Sequence, residues 1–129
     1  GLVILVAVVL LSDLSSNVLK NLIMRTRPCN AFEVRLLLGC GGSFSMPSAH
    51  ATNIFAAMVF LTIRYKKLFP LFLVIALTVS YSRVYVGVHY PLDVVAGAFL
   101  GSTIAVAASG AEKRFSKSFN KKASDTIEA

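Results

Sequence analysis

The stretch 82–93 combines three side chains that together could act on a phosphate group: Arg83, His89 and Asp93. It lies between two long apolar runs, where an ionisable residue is costly unless it has a partner or a function. An aspartate bonded to one ring nitrogen of a histidine leaves the other nitrogen free as a nucleophile and favours the cation that forms when that nitrogen is substituted. An arginine adds a fork of donors that matches phosphate oxygens. Taken alone, the stretch is also consistent with a capped helix end closed by a salt bridge.

Pro91 predicts where the next helix begins. Proline is favoured in the first turn of a helix, because its missing N–H would have no intrahelical partner there. We therefore expect His89 just before the helix and Asp93 within its first turn. Their separation of four residues allows the carboxylate to reach the imidazole.

Two further polar clusters border apolar runs in the same way. Lys20 is followed by Arg27, and the tetrapeptide 47–50 (PSAH) directly precedes a second apolar run. The unbonded N–H groups at the start of that helix, together with the helix dipole, form an anion site. Ser48 and the nearby backbone are therefore candidates to hold phosphate oxygens, with His50 at the same place.

In order along the chain, the patterns K-x6-RP, PS-x-H and SR-x5-H-x3-D resemble those of the type-2 phosphatidic acid phosphatase superfamily, which includes membrane lipid phosphatases and soluble vanadium haloperoxidases. The resemblance covers residues 20–93 and departs at one position, because Ala49 stands where the second motif commonly has glycine. It implies an all-α integral membrane helical bundle. Four transmembrane helices are visible here, whereas family members are similar to six-helix proteins, so we expect N-terminal helices to be absent from this chain.

The resemblance also implies roles for individual residues, catalytic for His89, His50 and Asp93 and phosphate-binding for Lys20, Arg27, Ser48 and Arg83. The first histidine would attack phosphorus, the aspartate would hold its other ring nitrogen, and the second histidine would protonate the leaving oxygen. No cofactor is implied. A metal site built from the two histidines and the aspartate is disfavoured, since three cationic side chains at the same pocket would repel a divalent ion.

Composition favours a membrane protein over a soluble one. The chain has 129 residues, 56% of them hydrophobic, which is more apolar surface than a soluble core of this size needs. We expect one domain over residues 1–129. The net charge of +7 could suggest nucleic acid, but the basic residues fall between apolar runs instead of forming a stripe with interleaved aromatics. The apolar runs also disfavour the soluble haloperoxidase branch.

The apolar runs predict four membrane spans, at 1–19, 48–63, 68–86 and 92–109. All three polar clusters then lie on one side of the membrane. Eight of the 13 lysines and arginines lie on the other side, namely Arg64, Lys66, Lys67, Lys113, Arg114, Lys117, Lys121 and Lys122. By the positive-inside rule that side is cytoplasmic. This topology predicts a multi-pass protein of the inner cell membrane whose site faces the periplasm or exterior.

Segments outside the motifs carry further expectations. The basic tail 112–129 is predicted to be cytoplasmic, either as an interfacial helix on an anionic leaflet or as a frayed end. The connection 20–47 is expected to form an active-site lid, with residues 36–38 lying against the membrane surface. In that connection Cys29 and Cys40 are either bridged or free.

Two sets of small or polar residues predict contacts between helices. Asp13, Asn17 and Lys20 share one helix face, which is either a polar wall leading to the site or a face that hydrogen-bonds another helix. Gly97 and Gly101 are spaced for close helix packing.

These observations together predict a membrane lipid phosphatase acting on a phosphate monoester or diphosphate through a phosphohistidine. The substrate would be an amphiphilic lipid phosphate: undecaprenyl diphosphate, phosphatidylglycerol phosphate, phosphatidic acid or lipid A 1-phosphate. Nothing in the sequence separates the four or indicates the oligomeric state. The alternatives are a membrane transporter, which would more often show charges near mid-span, and a non-catalytic phospholipid-binding relative, which would lose a motif residue first.

Overall fold

The computed structural model describes residues 1–32 and 39–127, with side chains described to residue 120. Five α-helices follow in order: α1 (Leu2–Ile23), α2 (Pro28–Ala31), α3 (Ala49–Arg64), α4 (Phe69–Tyr85) and α5 (Pro91–Ile127). A 3₁₀ turn, Lys66–Leu68, links α3 to α4. The described ranges contain no strand, so the prediction of an all-α protein is confirmed.

The arrangement is a bundle with α3 at its centre, packed against α1, α4 and α5. Three segments are long and apolar enough to cross a membrane: Leu2–Ala31, Lys66–Tyr85 and Pro91–Asn120. The central α3 has 16 residues, which corresponds to about 24 Å at the usual helical rise. It was predicted to be the second of four spans, but it is shorter and more enclosed than the other three and is not among the described segments long and apolar enough to cross a membrane.

Apolar side chains cover the outside of this bundle. Leu10, Val74 and Phe99 are 65%, 60% and 77% exposed, while Ser12 and Thr52 are completely buried. A soluble protein of this size rarely leaves so large an apolar surface in water. Large apolar residues outside and small or hydroxylated residues between the helices are the pattern of a protein whose surroundings are lipid.

Two helices run further than the sequence predicted. The first span was expected to end at 19, but α1 continues to Ile23 and stops where Met24 adopts the left-handed conformation and donates its N–H to the Lys20 carbonyl. The last helix was expected to end at 109, but α5 continues to Ile127. From 111 onward its sequence has neither glycine nor proline to end a helix. The predicted surface segment 36–38 lies outside the described residues.

Gly97 and Gly101 let α5 approach α3 closely, as predicted. A Cβ at Gly97 would lie 2.6 Å from the Ser48 carbonyl oxygen, and one at Gly101 would collide with the Thr52 carbonyl oxygen. Both obstacles are backbone atoms, which cannot rotate out of the way. The glycine pair therefore sets the distance between α5 and the helix that carries the second motif.

We expect Gly101→Ala to lower the stability of the folded protein by roughly 1–3 kcal/mol, because α5 must move away from α3 to make room. Gly110→Ala is the matched control on the same helix, since a Cβ there meets no atom within 4 Å. That control should be neutral or slightly stabilising, because alanine favours helix over glycine. Thermal unfolding in detergent measures both. Equal melting temperatures for the two variants would contradict the close packing.

Candidate active site

A cavity of about 280 Å³ lies at one end of the bundle. The last turns of α1 and α4, the first turn of α3 and the segments that precede α3 and α5 form its walls. The cavity is lined by Lys20, Arg27, Gly39, Gly41, Ser43, Ala49, His50, Arg83, Val86, Val88 and His89. All three motifs thus contribute to one wall, as the sequence predicted. The described lining contains three basic side chains, those of Lys20, Arg27 and Arg83, and no carboxylate, which suits an anionic ligand.

Arg27 is fixed by the loop that precedes α3. It is only 8% exposed. Its Nε donates to the Ser43 carbonyl oxygen at 2.7 Å and one terminal nitrogen donates to the Ser43 hydroxyl at 2.8 Å. A longer bond of 3.4 Å reaches the Val88 carbonyl oxygen. These neutral acceptors hold the guanidinium without cancelling its charge, which stays available to the cavity.

Lys20 and Arg83 supply the other two charges from opposite sides. Lys20 lies in the last turn of α1 and is buried. Arg83 lies in the last turn of α4, where its Nε donates to the Ser82 hydroxyl at 3.2 Å. Cations at the carboxyl ends of helices are also favoured by the helix dipole. The fold therefore has a local reason to accept both charges at this end of the bundle.

A tight turn places His89 in the cavity wall. Gly87 has a φ of 78°, a backbone conformation that residues other than glycine rarely adopt. The turn reverses the chain between α4 and α5, and α5 begins at Pro91 with Asp93 in its first turn, as predicted. His89 is 3% exposed. Its ring therefore sits at a turn whose geometry is fixed on both sides.

The imidazole of His89 and the carboxylate of Asp93 are close but not hydrogen-bonded. Nδ1 of the histidine lies 3.7 Å from Oδ2 of the aspartate, and this nitrogen has no hydrogen-bond partner within the described part of the chain. Catalytic hydrogen bonds are often long before substrate binds. The approach through Nδ1 leaves Nε2 as the nitrogen free to react.

The surroundings keep His89 uncharged at neutral pH. Burial, reinforced by the positive charges of Arg27 and Lys20, lowers the pKa of His89 from 6.5 to about 4, against the opposing effects of the Asp93 carboxylate and the Ser45 carbonyl. A neutral imidazole has the lone pair that a nucleophile needs. The unfolded chain would bind this proton more readily, so the contribution of His89 to stability falls as pH drops from 6.5 towards 4.

We expect an NMR titration of ring-labelled histidines to show His89 still neutral at pH 5.5, because the folded protein opposes its protonation. The spectrum of His89→Ala assigns the signal. A midpoint near 6.5 for that signal, the value for an unperturbed histidine, would show that neither burial nor the cations act on this ring as the structure indicates.

The second motif meets the cavity through the first turn of α3. Ala49 and the exposed His50 line it. Ser48 does not line it: the side chain is fully buried and caps the helix, with Oγ 3.5 Å from the Ala51 nitrogen. The predicted phosphate contact of Ser48 therefore stays a prediction. The backbone at the start of α3 faces the cavity, where a helix favours an anion.

Three residues that the sequence analysis did not single out support this site. Ser43 holds Arg27, as described above, while Arg25 and Ser45 bind the carboxylate of Asp93. Arg25 Nη1 donates to Oδ1 at 2.7 Å, and the Ser45 hydroxyl donates to Oδ2 in a short bond. The K-x6-RP pattern selects Arg27 and passes over Arg25, so the role of Arg25 is visible only in the fold.

The cysteines that the sequence left open form a disulfide. Cys29 and Cys40 are bonded, with their Cα atoms 6.0 Å apart. The bridge joins the start of α2 to the glycine-containing loop that lines the cavity. It therefore joins two points within the predicted lid, the connection 20–47.

Asp13 makes contacts between helices. Its carboxylate accepts bonds from Asn53 of α3 and Asn17 of α1, each at 3.1 Å. Of the two alternatives left by the sequence, helix–helix hydrogen bonding is therefore observed for Asp13, while Lys20 at the end of the same face lines the cavity.

In residues 1–32 and 39–120, no three side chains among His, Cys, Asp and Glu converge on a point that could hold a metal ion. Asp93, the carboxylate that would complete such a set, is bound by Arg25 and Ser45. The donor chemistry of the cavity is cationic and suits phosphoryl oxygens better than a divalent metal.

The fold and cavity define a helical membrane protein in which three helix-end motifs line one cavity. The chain belongs to the PAP2 superfamily, whose family model matches residues 1–116. It is 40% identical to a lipid A 4′-phosphatase of Bacteroides thetaiotaomicron over 69% of this chain and 43% of that protein. It is 50% identical to an undecaprenyl-diphosphatase of Sulfolobus acidocaldarius over 47% of this chain and 30% of that protein.

A solved structure shares the architecture. The transmembrane PAP2-type phosphatidylglycerolphosphate phosphatase of Bacillus subtilis matches with a TM-score of 0.75 and 29% identity, covering 87% of this chain and 59% of that one. This similarity supports the helical membrane fold and the family resemblance predicted from the motifs. The chain spans less than half the length of the curated relatives described above.

Proposed function

We propose that this protein is a lipid phosphate phosphatase that works through a phosphohistidine. The observation that carries the proposal is the cavity itself, in which a neutral, buried His89 faces the same space as His50 and three cations. Phosphoryl transfer asks mainly for positioning and for stabilisation of charge on the phosphoryl oxygens. Lys20, Arg27 and Arg83 supply that charge, and the backbone at the start of α3 adds N–H donors.

The first step transfers the phosphoryl group to the protein. The lone pair on Nε2 of His89 forms a P–N bond as the P–O bond to the lipid breaks. His50, protonated once the anionic phosphate in the cavity offsets the neighbouring cations, gives its proton to the leaving oxygen, so the lipid departs as an alcohol, or as a lipid monophosphate when the substrate is a diphosphate. Asp93 stabilises the imidazolium at Nδ1, and this cation makes the phosphoryl group easier to remove in the next step.

The second step releases phosphate. His50, now neutral, takes a proton from a water molecule as that water attacks phosphorus. The P–N bond breaks, its electron pair returns to Nε2, and inorganic phosphate leaves. Each residue ends in its starting protonation state, so the cycle needs no cofactor. We propose that it also needs no metal, because the three cations neutralise the charge that a metal would otherwise neutralise.

The substrate class follows from where the cavity lies. It sits at the ends of apolar helices, so a ligand with a phosphate head and a hydrocarbon tail can place the head in the cavity while the tail stays in lipid. Undecaprenyl diphosphate, phosphatidylglycerol phosphate, phosphatidic acid and lipid A 1-phosphate all meet this description. The named activities of the relatives, on lipid A, undecaprenyl diphosphate and phosphatidylglycerol phosphate, fall in the same class.

A phosphate-release panel over these four lipids tests the proposal. Detergent-solubilised wild-type protein is compared with His89→Ala, each with and without EDTA and with and without vanadate. We expect release from at least one lipid, no effect of EDTA, and inhibition by vanadate, which adopts the five-coordinate geometry of the transferring phosphoryl. Absence of release from every lipid, or loss with EDTA that a metal restores, would contradict the proposal.

We further propose that the cavity faces the periplasm or exterior and that the end carrying Arg64 and the tail is cytoplasmic. The support is the charge asymmetry, since most lysines and arginines outside the motifs lie at that opposite end. The Arg64 side chain and Glu112 form an ion pair there, far along α3 from the cavity.

Cysteine labelling with an impermeant reagent tests this orientation in a Cys29→Ser/Cys40→Ser background. Gly42→Cys reports the cavity side, where a Cβ meets no atom within 4 Å, and Ser118→Cys reports the exposed tail. We expect intact cells to label only position 42, and permeabilised cells to label both. Labelling of position 118 in intact cells would reverse the orientation.

A further inference from the structure

Arg25 and Arg27 lie two residues apart but have different partners. Arg27 lines the cavity, held by Ser43. Arg25 is absent from the cavity wall, and its guanidinium instead binds Asp93. The sequence motifs assign phosphate binding to Arg27 and no role to Arg25. The geometry separates a phosphate-facing arginine from one that faces a carboxylate.

Asp93 is fully buried, which is costly for a carboxylate unless hydrogen bonds and a countercharge satisfy it. Arg25 supplies the countercharge at Oδ1, with a distance of 2.7 Å. Oδ2 accepts from the Ser45 hydroxyl and, at 2.9 Å, from the Tyr90 backbone N–H. Both oxygens are thereby fixed in direction, and the second of them is the oxygen nearest to His89.

Arg25 is itself immobilised by its surroundings. Its Cζ lies over the Tyr90 ring, 4.1 Å from the centroid. Its carbonyl oxygen accepts the Ser45 backbone N–H at 2.8 Å. The Ser48 N–H in turn donates to the Asp93 carbonyl oxygen at 2.9 Å. These contacts tie the segment after α1, the segment before α3 and the first turn of α5 to one carboxylate.

We propose that Arg25, with Ser45, is a positioning residue that aims the Asp93 carboxylate at Nδ1 of His89. The inference rests on the proposed function and deepens it. Nδ1 is buried 3.7 Å from Oδ2 and has no hydrogen-bond partner in the described residues, so Asp93 is the carboxylate placed to accept its N–H. Arg25 balances the aspartate's charge, so the carboxylate stabilises the imidazolium of the phosphohistidine without removing its proton.

The proposal predicts that a change at Arg25 lowers kcat without weakening phosphate binding. Arg25 does not line the cavity, so Arg25→Gln should leave phosphate binding intact while Asp93 loses its countercharge and its direction. We expect kcat to fall about 10- to 100-fold, the usual range when a partner that orients a functional histidine or carboxylate is lost. The inhibition constant for vanadate should stay within about threefold. Arg25→Lys keeps the charge without the planar fork and should recover part of the rate.

Arg64→Gln is a matched control at the other end of the bundle. Arg64 also pairs with a carboxylate, Glu112, and its Cζ also lies over an aromatic ring, 3.8 Å from the centroid of Phe60. Removing it costs the same kinds of contact far from the cavity. We expect unchanged kcat, so a loss specific to Arg25 cannot be attributed to the missing ion pair alone. Arg27→Gln should show the opposite pattern, because it should raise the inhibition constant for vanadate.

A double-mutant cycle with Asp93→Asn provides the decisive comparison. If Arg25 acts through Asp93, Arg25→Gln should cost at most about threefold more in kcat once the aspartate is gone, because the two effects share one origin. Two results would overturn the inference. One is a double variant whose loss in kcat equals the product of the two single losses, and the other is an inhibition constant for vanadate that rises by the same factor as kcat falls. If Arg25→Gln does not fold in detergent, Arg25→Lys takes its place in the cycle with the same expectations.

The outcomes separate this inference from the proposed function. A wild type that releases no phosphate from any of the four lipids contradicts the function, and the inference falls with it. An active wild type whose Arg25→Gln variant keeps its kcat within threefold contradicts the inference alone.

Discussion

His89→Ala should lose lipid phosphatase activity by at least about 10⁴-fold, a loss of the size seen when a covalent nucleophile is removed. Among the described side chains that line the cavity, His89 is the one that combines a neutral lone pair with a buried carboxylate 3.7 Å from its other ring nitrogen. Steady-state phosphate release from the preferred lipid measures the effect. The variant should still unfold cooperatively in detergent, because the substitution removes one ring at the cavity wall and none of the helix–helix contacts.

Added imidazole provides the control for His89→Ala. A free imidazole can enter the space vacated by the ring and accept the phosphoryl group, so it should restore part of the turnover on a small aryl phosphate. The same imidazole should not rescue Arg27→Gln, whose defect lies in phosphate binding. Full activity of His89→Ala without imidazole would show that the nucleophile is elsewhere.

The loss of activity in His50→Ala should depend on the leaving group of the substrate. Loss of a general acid typically costs about 10²–10⁴-fold when the departing oxygen needs a proton. A lipid alkoxide needs one, so turnover of the lipid should fall by that amount. An activated aryl phosphate such as p-nitrophenyl phosphate leaves without a proton, so its rate of phosphoenzyme formation should stay within about tenfold of wild type.

The comparison between the two substrates is the control for His50→Ala, because a general loss of fold or of phosphate binding would slow both equally. Single-turnover kinetics isolates the first step, in which only the acid function is used. Equal losses on the lipid and on the aryl phosphate would rule out the assignment of His50 as the acid.

The helices and the grouping of the motifs were predictable because each has a local cause. The apolar runs determine which segments of the chain can lie in lipid. Pro91 and Ser48 mark two helix starts, and the structure places both within one residue of the expected position. The antiparallel order of the spans then requires the motif-bearing ends to meet. The charges of Lys20, Arg27 and Arg83 are costly near lipid unless they share a ligand, and this makes a common anion site predictable before any coordinates.

The features of the site that the sequence did not predict depend on the direction in which individual side chains point. Arg25 and Arg27 are the same residue type in one short segment, and only the folded backbone sends one to Asp93 and the other to the cavity. The contact of Arg25 with Asp93 spans 68 residues and that of Arg27 with Ser43 spans 16, so no local pattern records either direction. Ser48 differs, because its cap on α3 is a local bond to Ala51, and its expected phosphate contact stays a prediction.

Mapping the phosphorylated residue tests the central claim most directly. Wild-type protein is mixed with its lipid substrate, quenched under denaturing alkaline conditions that preserve phosphohistidine, digested, and sequenced by mass spectrometry. A phosphohistidine mechanism predicts one added phosphoryl group on the peptide containing His89, absent from His89→Ala and more abundant when dephosphorylation is slowed by His50→Ala on an aryl phosphate. A phosphoryl group on any other residue, or rapid hydrolysis with no phosphorylated peptide even in His50→Ala, would contradict it.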